Sequence, residues 1–217
     1  MVNLDQALAF TMTVHGAQKS EGLWLAQHPF VQAVRIGSAR HDEIQRWVGQ
    51  IICANRAYRE IFESLSPQPA VEPFFNARRD LDLLIQLGEA LGVPELVMAT
   101  SEPNFAARSV EAWMRERMAM PAEHSAGPIC WALVEAMSPE TGGYLAEGAE
   151  KHFGLGHEQV RYFTIGMKSK LGADEYAAKM LSGLALDQWD SFQEETLVLS
   201  RLLVRLCDSI GDIWSAW

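Results

Sequence analysis

Apolar residues recur three and four positions apart along almost the whole chain, which is the spacing of one face of an α-helix. Leu4, Ala7 and Leu8 begin this pattern, and alternation typical of a β-strand is almost absent. The pattern predicts an all-α chain of about seven to nine helices. The predicted helices span residues 3–20, 22–36, 42–64, 76–92, 104–119, 125–137, 139–152, 157–182 and 187–217. Their short connections favour an antiparallel bundle.

Length and charge restrict the classes of function. The 217 residues fit one domain, over residues 1–217. The net charge of −10 argues against nucleic acid or an anionic membrane as a partner, because both require clustered Lys and Arg. No apolar run approaches the roughly 20 residues that span a bilayer, and a secretory signal is not evident. Three widely separated cysteines favour free thiols, so we expect a cytoplasmic protein.

The last predicted helix, 187–217, is apolar on nearly every face. Leu197, Leu202 and Leu203 lie on different sides of it. Such a helix is expected either at the centre of a bundle or in contact with a second copy. We predict a homodimer, and a central position of this helix within one bundle is the alternative.

Several short segments together carry a resemblance to the heme-oxygenase-like fold, which is shared by thiaminase II, the pyrroloquinoline-quinone synthase type and non-heme diiron oxidases. Their order and spacing are similar to those of that superfamily over residues 22–217. The segments are His28-Pro29-Phe30-Val31 with Gly37, Arg46-Trp47-Val48-Gly49-Gln50, Leu87-Gly88-Glu89-Ala90-Leu91-Gly92-Val93, Trp131-Ala132-Leu133-Val134-Glu135-Ala136-Met137-Ser138-Pro139, and Lys151-His152-Phe153-Gly154. The resemblance implies a heme-oxygenase-like antiparallel helical bundle.

The iron ligands of the diiron members are mostly missing. One helix of those proteins offers a His, an Asp four residues on and a His three residues later, and the resemblance places Gly166, Lys170 and Ala173 there. An ammonium group at that point repels a metal ion and neutralises carboxylates itself. Elsewhere Asp80 replaces a His, and Pro73, next to Glu72, replaces a Glu.

Glu135 is the one expected ligand that is plainly kept. Asp80, Glu135 and Glu72 could in principle hold one divalent ion, but Lys170 argues against it. We expect no metal and no other cofactor.

The resemblance also separates this chain from the other two groups. Thiaminase II has a Cys after the mid-chain Pro and an Asp after the second-helix Gln, where this chain has Glu140 and Ile51. Without a thiolate, a thiaminase-type displacement is not expected. The pyrroloquinoline-quinone synthase type needs no metal and uses oxygen directly. Trp47 and Tyr162 fit its pattern, but the basic residue expected four after the Tyr is Gly166.

Four residues are predicted to act in catalysis: Glu135, Glu140, Tyr162 and Lys170. Tyr162, Gly166 and Lys170 lie on one stripe of a helix, which the resemblance turns inward. Glu and Tyr suit acid–base chemistry, and Lys170 suits a substrate carboxylate or a base. Alternatively, Lys170 is a surface residue and Gly166 allows close helix packing.

Five residues are predicted to bind the substrate: Trp47, Gln50, Asn55, Arg79 and Gly166. The first three lie along helix 42–64, together with Tyr58, and Gly166 leaves space in the pocket wall. Arg79 offers a guanidinium fork for an anionic group. The alternative interpretation is an aromatic core, solvated amides and an exposed helix start.

These residues leave three functional interpretations open. The first is a metal-independent enzyme that binds a small anionic or aromatic metabolite in the bundle core and acts by proton transfer or as an oxidoreductase. The second is an inactive relative that serves as a binding or scaffold partner of a biosynthetic enzyme. The third is a non-heme iron oxidase with unorthodox ligands.

Glu135 lies in an apolar stretch, and a buried carboxylate needs a partner. We predict an ion pair with Lys170, the alternative being a bond to nearby backbone or Ser. Glu135→Gln or Lys170→Met alone is then expected to lower the free energy of unfolding by about 3–5 kcal/mol, because each strands the other charge. The double variant is expected to lose less than the sum, as measured by urea unfolding. Simple additivity would contradict the pair.

Overall fold

The computed structural model describes residues 3–64, 77–118, 126–164 and 172–211. Within these ranges all regular secondary structure is helical, as predicted. The α-helices are α1 (Leu4–Ser20), α2 (Pro29–Ile36), α3 (His41–Ser64), α4 (Ala77–Ala90), α5 (Glu95–Thr100), α6 (Phe105–Met118), α7 (Ala126–Glu135), α8 (Ser138–Phe153), α9 (Ala173–Ser182) and α10 (Trp189–Gly211). Short 3-10 helices at Leu25–Gln27 and Leu186–Gln188 precede α2 and α10, and residues 161–164 are also helical.

Local sequence explains where these helices begin and end. Asn3 and Gln6 form a reciprocal capping box at the start of α1, with an Asn3 Oδ1 to Gln6 N distance of 2.8 Å. Pro29 occupies the first turn of α2, where its missing N–H is not needed. Gly37 and Gly154 end α2 and α8 with φ angles of 76° and 70°, which L-residues with a side chain rarely adopt.

The prediction of one continuous helix over 157–182 is wrong. Residues 157–160 form a turn, and a second turn at Gly172 precedes α9. Asp174 and Glu175 fill the first turn of α9, where acidic side chains interact favourably with the helix dipole. These residues therefore favour a helix start that periodicity alone does not indicate. The short helix α5 was not predicted either.

Two hydrophobic clusters make up the core, and the long helix α3 contributes to both. Its N-terminal half packs on α4, and Trp47 and Ile52 belong to the same hydrophobic cluster as residues of α2 and α8. Its C-terminal half packs on α6, and Ala54 and Ile61 belong to the same cluster as residues of α7. Helix α10 also reaches both clusters, through Leu199 in one and Ile210 in the other. This agrees with the central position expected for the last helix.

None of the helices in the described ranges combines the length and apolar character needed to cross a bilayer. The homodimer stays a prediction.

Gly148 sets the distance between α2 and α8. A Cβ atom at this position would lie 2.3 Å from the backbone oxygen of Val34 and 2.9 Å from Cα of Arg35. Both atoms belong to the backbone of α2, so rotation of a side chain cannot relieve the clash. The two helices therefore pack at this distance only with glycine here.

Gly148→Ala is expected to lower the free energy of unfolding by about 1–3 kcal/mol, because α2 must shift to accept the methyl group. Gly16→Ala is a matched control within α1, since a Cβ there meets nothing within 4 Å. This control is expected to stabilise the protein by about 0.5–1 kcal/mol through helix propensity. Urea unfolding measures both. Equal stability of Gly148→Ala and the parent would contradict the close approach.

Candidate functional site

Tyr58 places a phenol group inside the bundle. It lies on α3, with 8% of its surface exposed. Its ring meets the edge of Trp131 on α7 with centroids 5.4 Å apart. Burial raises the pKa of the Tyr58 hydroxyl well above its ordinary value, and the nearby Tyr162 and Glu135 raise it further. Tyr58 therefore stays a neutral hydrogen-bond donor at physiological pH.

Tyr162 brings a second phenol to the same place. It belongs to the helical residues 161–164 and follows a turn that starts after α8. Burial of its hydroxyl raises its pKa above the ordinary range, with further contributions from the charges of Asp80 and Glu135. A hydrogen bond with Asn55 lowers this pKa in part.

The hydrogen bond with Asn55 and these electrostatic effects define a central polar cluster of Asn55, Tyr58, Asp80, Glu135 and Tyr162. It lies where the two hydrophobic clusters meet, because Tyr58 packs into one and Tyr162 against the other. Three of the predicted site residues, Asn55, Glu135 and Tyr162, are thus brought together. The cluster combines two neutral donors with two carboxylates in a largely apolar environment.

Both carboxylates of the cluster are held by neighbouring groups. Arg79 donates from Nε and Nη2 to Oδ1 of Asp80, at 3.0 and 2.8 Å. The guanidinium predicted to bind an anionic substrate is therefore directed onto Asp80. The Ser138 hydroxyl, at the start of α8, donates to Oε2 of Glu135 at 2.8 Å. These bonds orient the two carboxylates.

Two of the predicted substrate-binding residues on α3 have packing or capping contacts. Trp47 is buried. Its ring stacks on the ring of Phe163 with centroids 6.0 Å apart, and its centroid lies 5.8 Å from that of the Phe30 ring. It therefore supports the segment that carries Tyr162. Gln50 Oε1 accepts a hydrogen bond from the backbone N–H of Asn104 at 2.8 Å, which fastens the start of α6. Their role in substrate binding stays a prediction.

Glu140 has hydrogen-bond partners that do not belong to the central polar cluster. Its two oxygens accept hydrogen bonds from the Trp24 indole at 2.7 Å and from the Tyr144 hydroxyl at 3.1 Å. It is an exposed residue of α8. Its predicted catalytic role is not tested. Lys170 and Gly166 lie outside the described residues.

The three cysteine thiols are buried and reduced. Burial raises the pKa of Cys130 and of Cys207 to about 12. Burial also raises the pKa of Cys53, whose Sγ donates to the Ser101 carbonyl. Since the thiolate is the nucleophile, these side chains are poorly suited to nucleophilic catalysis at neutral pH.

Metal chemistry has little support at the central polar cluster. Across the described ranges, no three His, Cys, Asp or Glu side chains converge as a metal site. Asp80, one of the suggested ligands, is bound by Arg79, and Glu72 lies outside the described residues. The groups present suit proton donation and acceptance instead.

The sequence places Tyr58 on the same predicted helix as Asn55, but Tyr58 was not among the residues predicted to bind the substrate or to act in catalysis. The signal was its position three residues after Asn55, which puts both on one helix face. Asp80 was considered only as a replaced metal ligand. Its part in raising the pKa of Tyr162 depends on how α4 packs, which the sequence does not reveal.

No protein-family model matches the sequence, and no curated protein matches it. Solved structures do match the fold. A TenA homologue from P. horikoshii OT3 superposes with a TM-score of 0.68 at 14% identity, over 93% of this chain and 97% of that one. A proposed TenA-like thiaminase from Sulfolobus solfataricus P2 gives 0.67 at 14% identity, over 98% and 97%. The chain therefore has the TenA-like helical-bundle fold, and the resemblance to the heme-oxygenase-like superfamily is confirmed at the level of fold.

The raised pKa values of Tyr58 and Tyr162 predict a loss of stability at alkaline pH. The unfolded phenols lose their protons near pH 10, while the folded ones keep them. The two phenols therefore leave the free energy of unfolding unchanged below pH 10. Above pH 10 they lower it by about 1.4 kcal/mol per pH unit for each such phenol. Tyr58→Phe is expected to have a shallower fall, as measured by urea unfolding between pH 9 and pH 11 and by tyrosinate absorbance. An unchanged slope would mean that Tyr58 titrates normally.

Proposed function

We propose that the protein is an enzyme that binds a small aromatic molecule in the bundle core and acts on it by proton transfer, without a metal at the reaction centre. The observation that carries this proposal is that two neutral phenols lie within electrostatic reach of two carboxylates in the central polar cluster. A carboxylate can accept a proton, and a phenol held neutral can donate one or bind a developing negative charge. Tyr162 and Glu135 have these roles, and Tyr58 is a second donor.

The charges of the described residues in the cluster favour one of the two ligand classes expected from the sequence. Asp80 and Glu135 contribute two acidic groups, and Arg79 supplies one cation that is directed onto Asp80. An anionic ligand would be repelled by Glu135 in this low-dielectric region. The rings of Tyr58 and Trp131 offer aromatic faces that favour a planar ligand, neutral or cationic.

A thiaminase-type displacement is not part of this proposal, although one structural neighbour is described as a TenA-like thiaminase. That chemistry needs a reactive thiolate. All three cysteines of this chain are buried with raised pKa values. Glu140, at the position that resembles the thiaminase nucleophile, accepts hydrogen bonds from Trp24 and Tyr144 instead.

A second candidate is an inactive bundle that binds a pathway enzyme. It is favoured by the bulky side chains in the core near the central polar cluster. Trp113, Trp131, Met114 and Met137 are all buried in the hydrophobic cluster that contains Tyr58. Side chains of this size leave less room for a ligand.

Two fragments of similar size and opposite charge separate these candidates: 4-aminopyridine, a planar cation at neutral pH, and benzoate. Ligand-observed NMR is expected to detect binding of the cation and not of the anion. Glu135→Gln is expected to weaken cation binding about tenfold or more, the effect of losing one charge-assisted hydrogen bond of about 1.5 kcal/mol.

Glu147→Gln is the matched control, because it removes the same charge from an exposed carboxylate on α8 that pairs with Arg35. It is expected to leave binding unchanged. Preference for benzoate would refute the charge argument, and binding of neither fragment would favour the inactive bundle. Stoichiometric iron with iron-dependent oxygen uptake would instead support the oxidase alternative.

A further inference from the structure

A second group of buried polar atoms lies away from the central polar cluster, between α1, α9 and α10. His15 and Gln18 face inward from successive turns of α1, and Asp174 opens α9. His15 Nε2, Gln18 Oε1 and Asp174 Oδ1 are all buried, and none of them has a hydrogen-bond partner. The His15 side chain is only 9% exposed. Burying such atoms without partners is unfavourable, so native proteins nearly always supply a partner for each.

The orientation of the Gln18 amide is fixed by its neighbours. The Ser200 hydroxyl donates to the Thr196 carbonyl at 2.8 Å, so its oxygen is left to accept. It accepts from Gln18 Nε2 at 2.9 Å. The Gln18 amide oxygen is therefore the atom without a partner, and it acts only as an acceptor. Since side chains lean toward the N-terminus of a helix, Gln18 leans over the turn that carries His15.

The pair of His15 and Asp174 differs from two other histidine–carboxylate pairs in the described part of the chain. His28 Nε2 and Asp208 Oδ1 are 3.0 Å apart and hydrogen-bonded. His157 Nδ1 and Glu150 Oε1 are 3.2 Å apart and also hydrogen-bonded. His15 Nε2 and Asp174 Oδ1 are 3.4 Å apart and make no hydrogen bond to each other. The two atoms are therefore close enough to act on one ion, while each keeps its hydrogen-bonding capacity unused.

A separation of 3.4 Å matches two ligands of one tetrahedral ion. Zn²⁺ binds His nitrogen and carboxylate oxygen at about 2.0–2.1 Å, which puts two tetrahedral ligands about 3.3 Å apart. Adjacent ligands of an octahedral ion at 2.1 Å, such as Mg²⁺, are only about 3.0 Å apart. Nitrogen and oxygen ligands together also suit Zn²⁺ better than Mg²⁺.

We propose that His15 Nε2 and Asp174 Oδ1 bind one tetrahedral divalent metal ion of the Zn²⁺ class, with water completing its coordination. The Gln18 amide oxygen accepts a hydrogen bond from a metal-bound water, as outer groups at metal sites do. The edge-on contact between His15 and Trp24, with centroids 5.6 Å apart, holds the imidazole in place. The Asp174 side chain is 40% exposed, so an ion can enter from solvent on that side.

This metal joins α1 to α9 and is separate from the proposed reaction centre. The central polar cluster lies on α3, α4, α7 and residues 161–164, and shares no residue with the metal site. Because the ion binds the folded state alone, it stabilises the packing of α1 on α9. The proposal stands or falls independently of any enzymatic activity.

Purified full-length protein, stripped with a chelator and titrated with Co²⁺ and then Zn²⁺, tests the proposal. We expect one equivalent of Co²⁺ with the visible absorption of a tetrahedral ion, displaced by Zn²⁺, and a higher melting temperature with Zn²⁺. His15→Asn and Asp174→Asn are each expected to abolish the absorption band and the temperature shift. His157→Asn, which breaks an exposed histidine–carboxylate pair, is expected to keep both.

The titration of the parent protein alone shows whether one equivalent of metal binds, so a variant that fails to fold does not obscure this result. Absence of a saturable equivalent in the parent overturns the proposal, and the three atoms are then bridged by water only. A band that survives in both His15→Asn and Asp174→Asn, or that disappears in His157→Asn, places the ion elsewhere and overturns it as well.

Discussion

The packing of α3 against both halves of the core is the interaction on which the rest of the structure depends. Its first half packs on α4 and shares a hydrophobic cluster with α2 and α8, while its second half packs on α6 and shares a cluster with α7. A helix of this length, His41–Ser64, reaches through the bundle and fixes the two halves relative to each other. The central polar cluster lies where they meet, since Asn55 and Tyr58 come from the second half of this helix.

Polar groups at such a junction need partners, and the chain supplies them in a consistent way. Asp80 is held by Arg79, and Glu135 by Ser138. The phenols remain neutral because burial and the neighbouring carboxylates both oppose their ionisation. The same burial keeps the thiols protonated. The interior therefore favours proton exchange between oxygen atoms over attack by sulfur.

Much of the fold follows from the sequence, because helical periodicity and Pro or Gly at helix ends are local signals. Gly154 and Pro29 fall at the ends they predict. The interruption at Gly172 was missed because the apolar pattern continues on both sides of it, while the charges that favour a new start at Asp174 are a weaker signal.

The site was predictable only in part. Glu135 and Tyr162 were identified through the resemblance, and Asn55 through its helix face. The contribution of Asp80, and the meeting of His15 with Asp174, depend on contacts between residues far apart in the chain. Periodicity carries no information about such contacts, so they emerge only when the helices are packed.

The protected thiols have a practical consequence. Cys53, Cys130 and Cys207 belong to α3, α7 and α10, so they lie in three different helices of the bundle. An alkylating reagent can reach each of them only when its surroundings open. Mass spectrometry of the modified peptides would therefore map, helix by helix, which regions of the native molecule open first, with no label or substitution introduced.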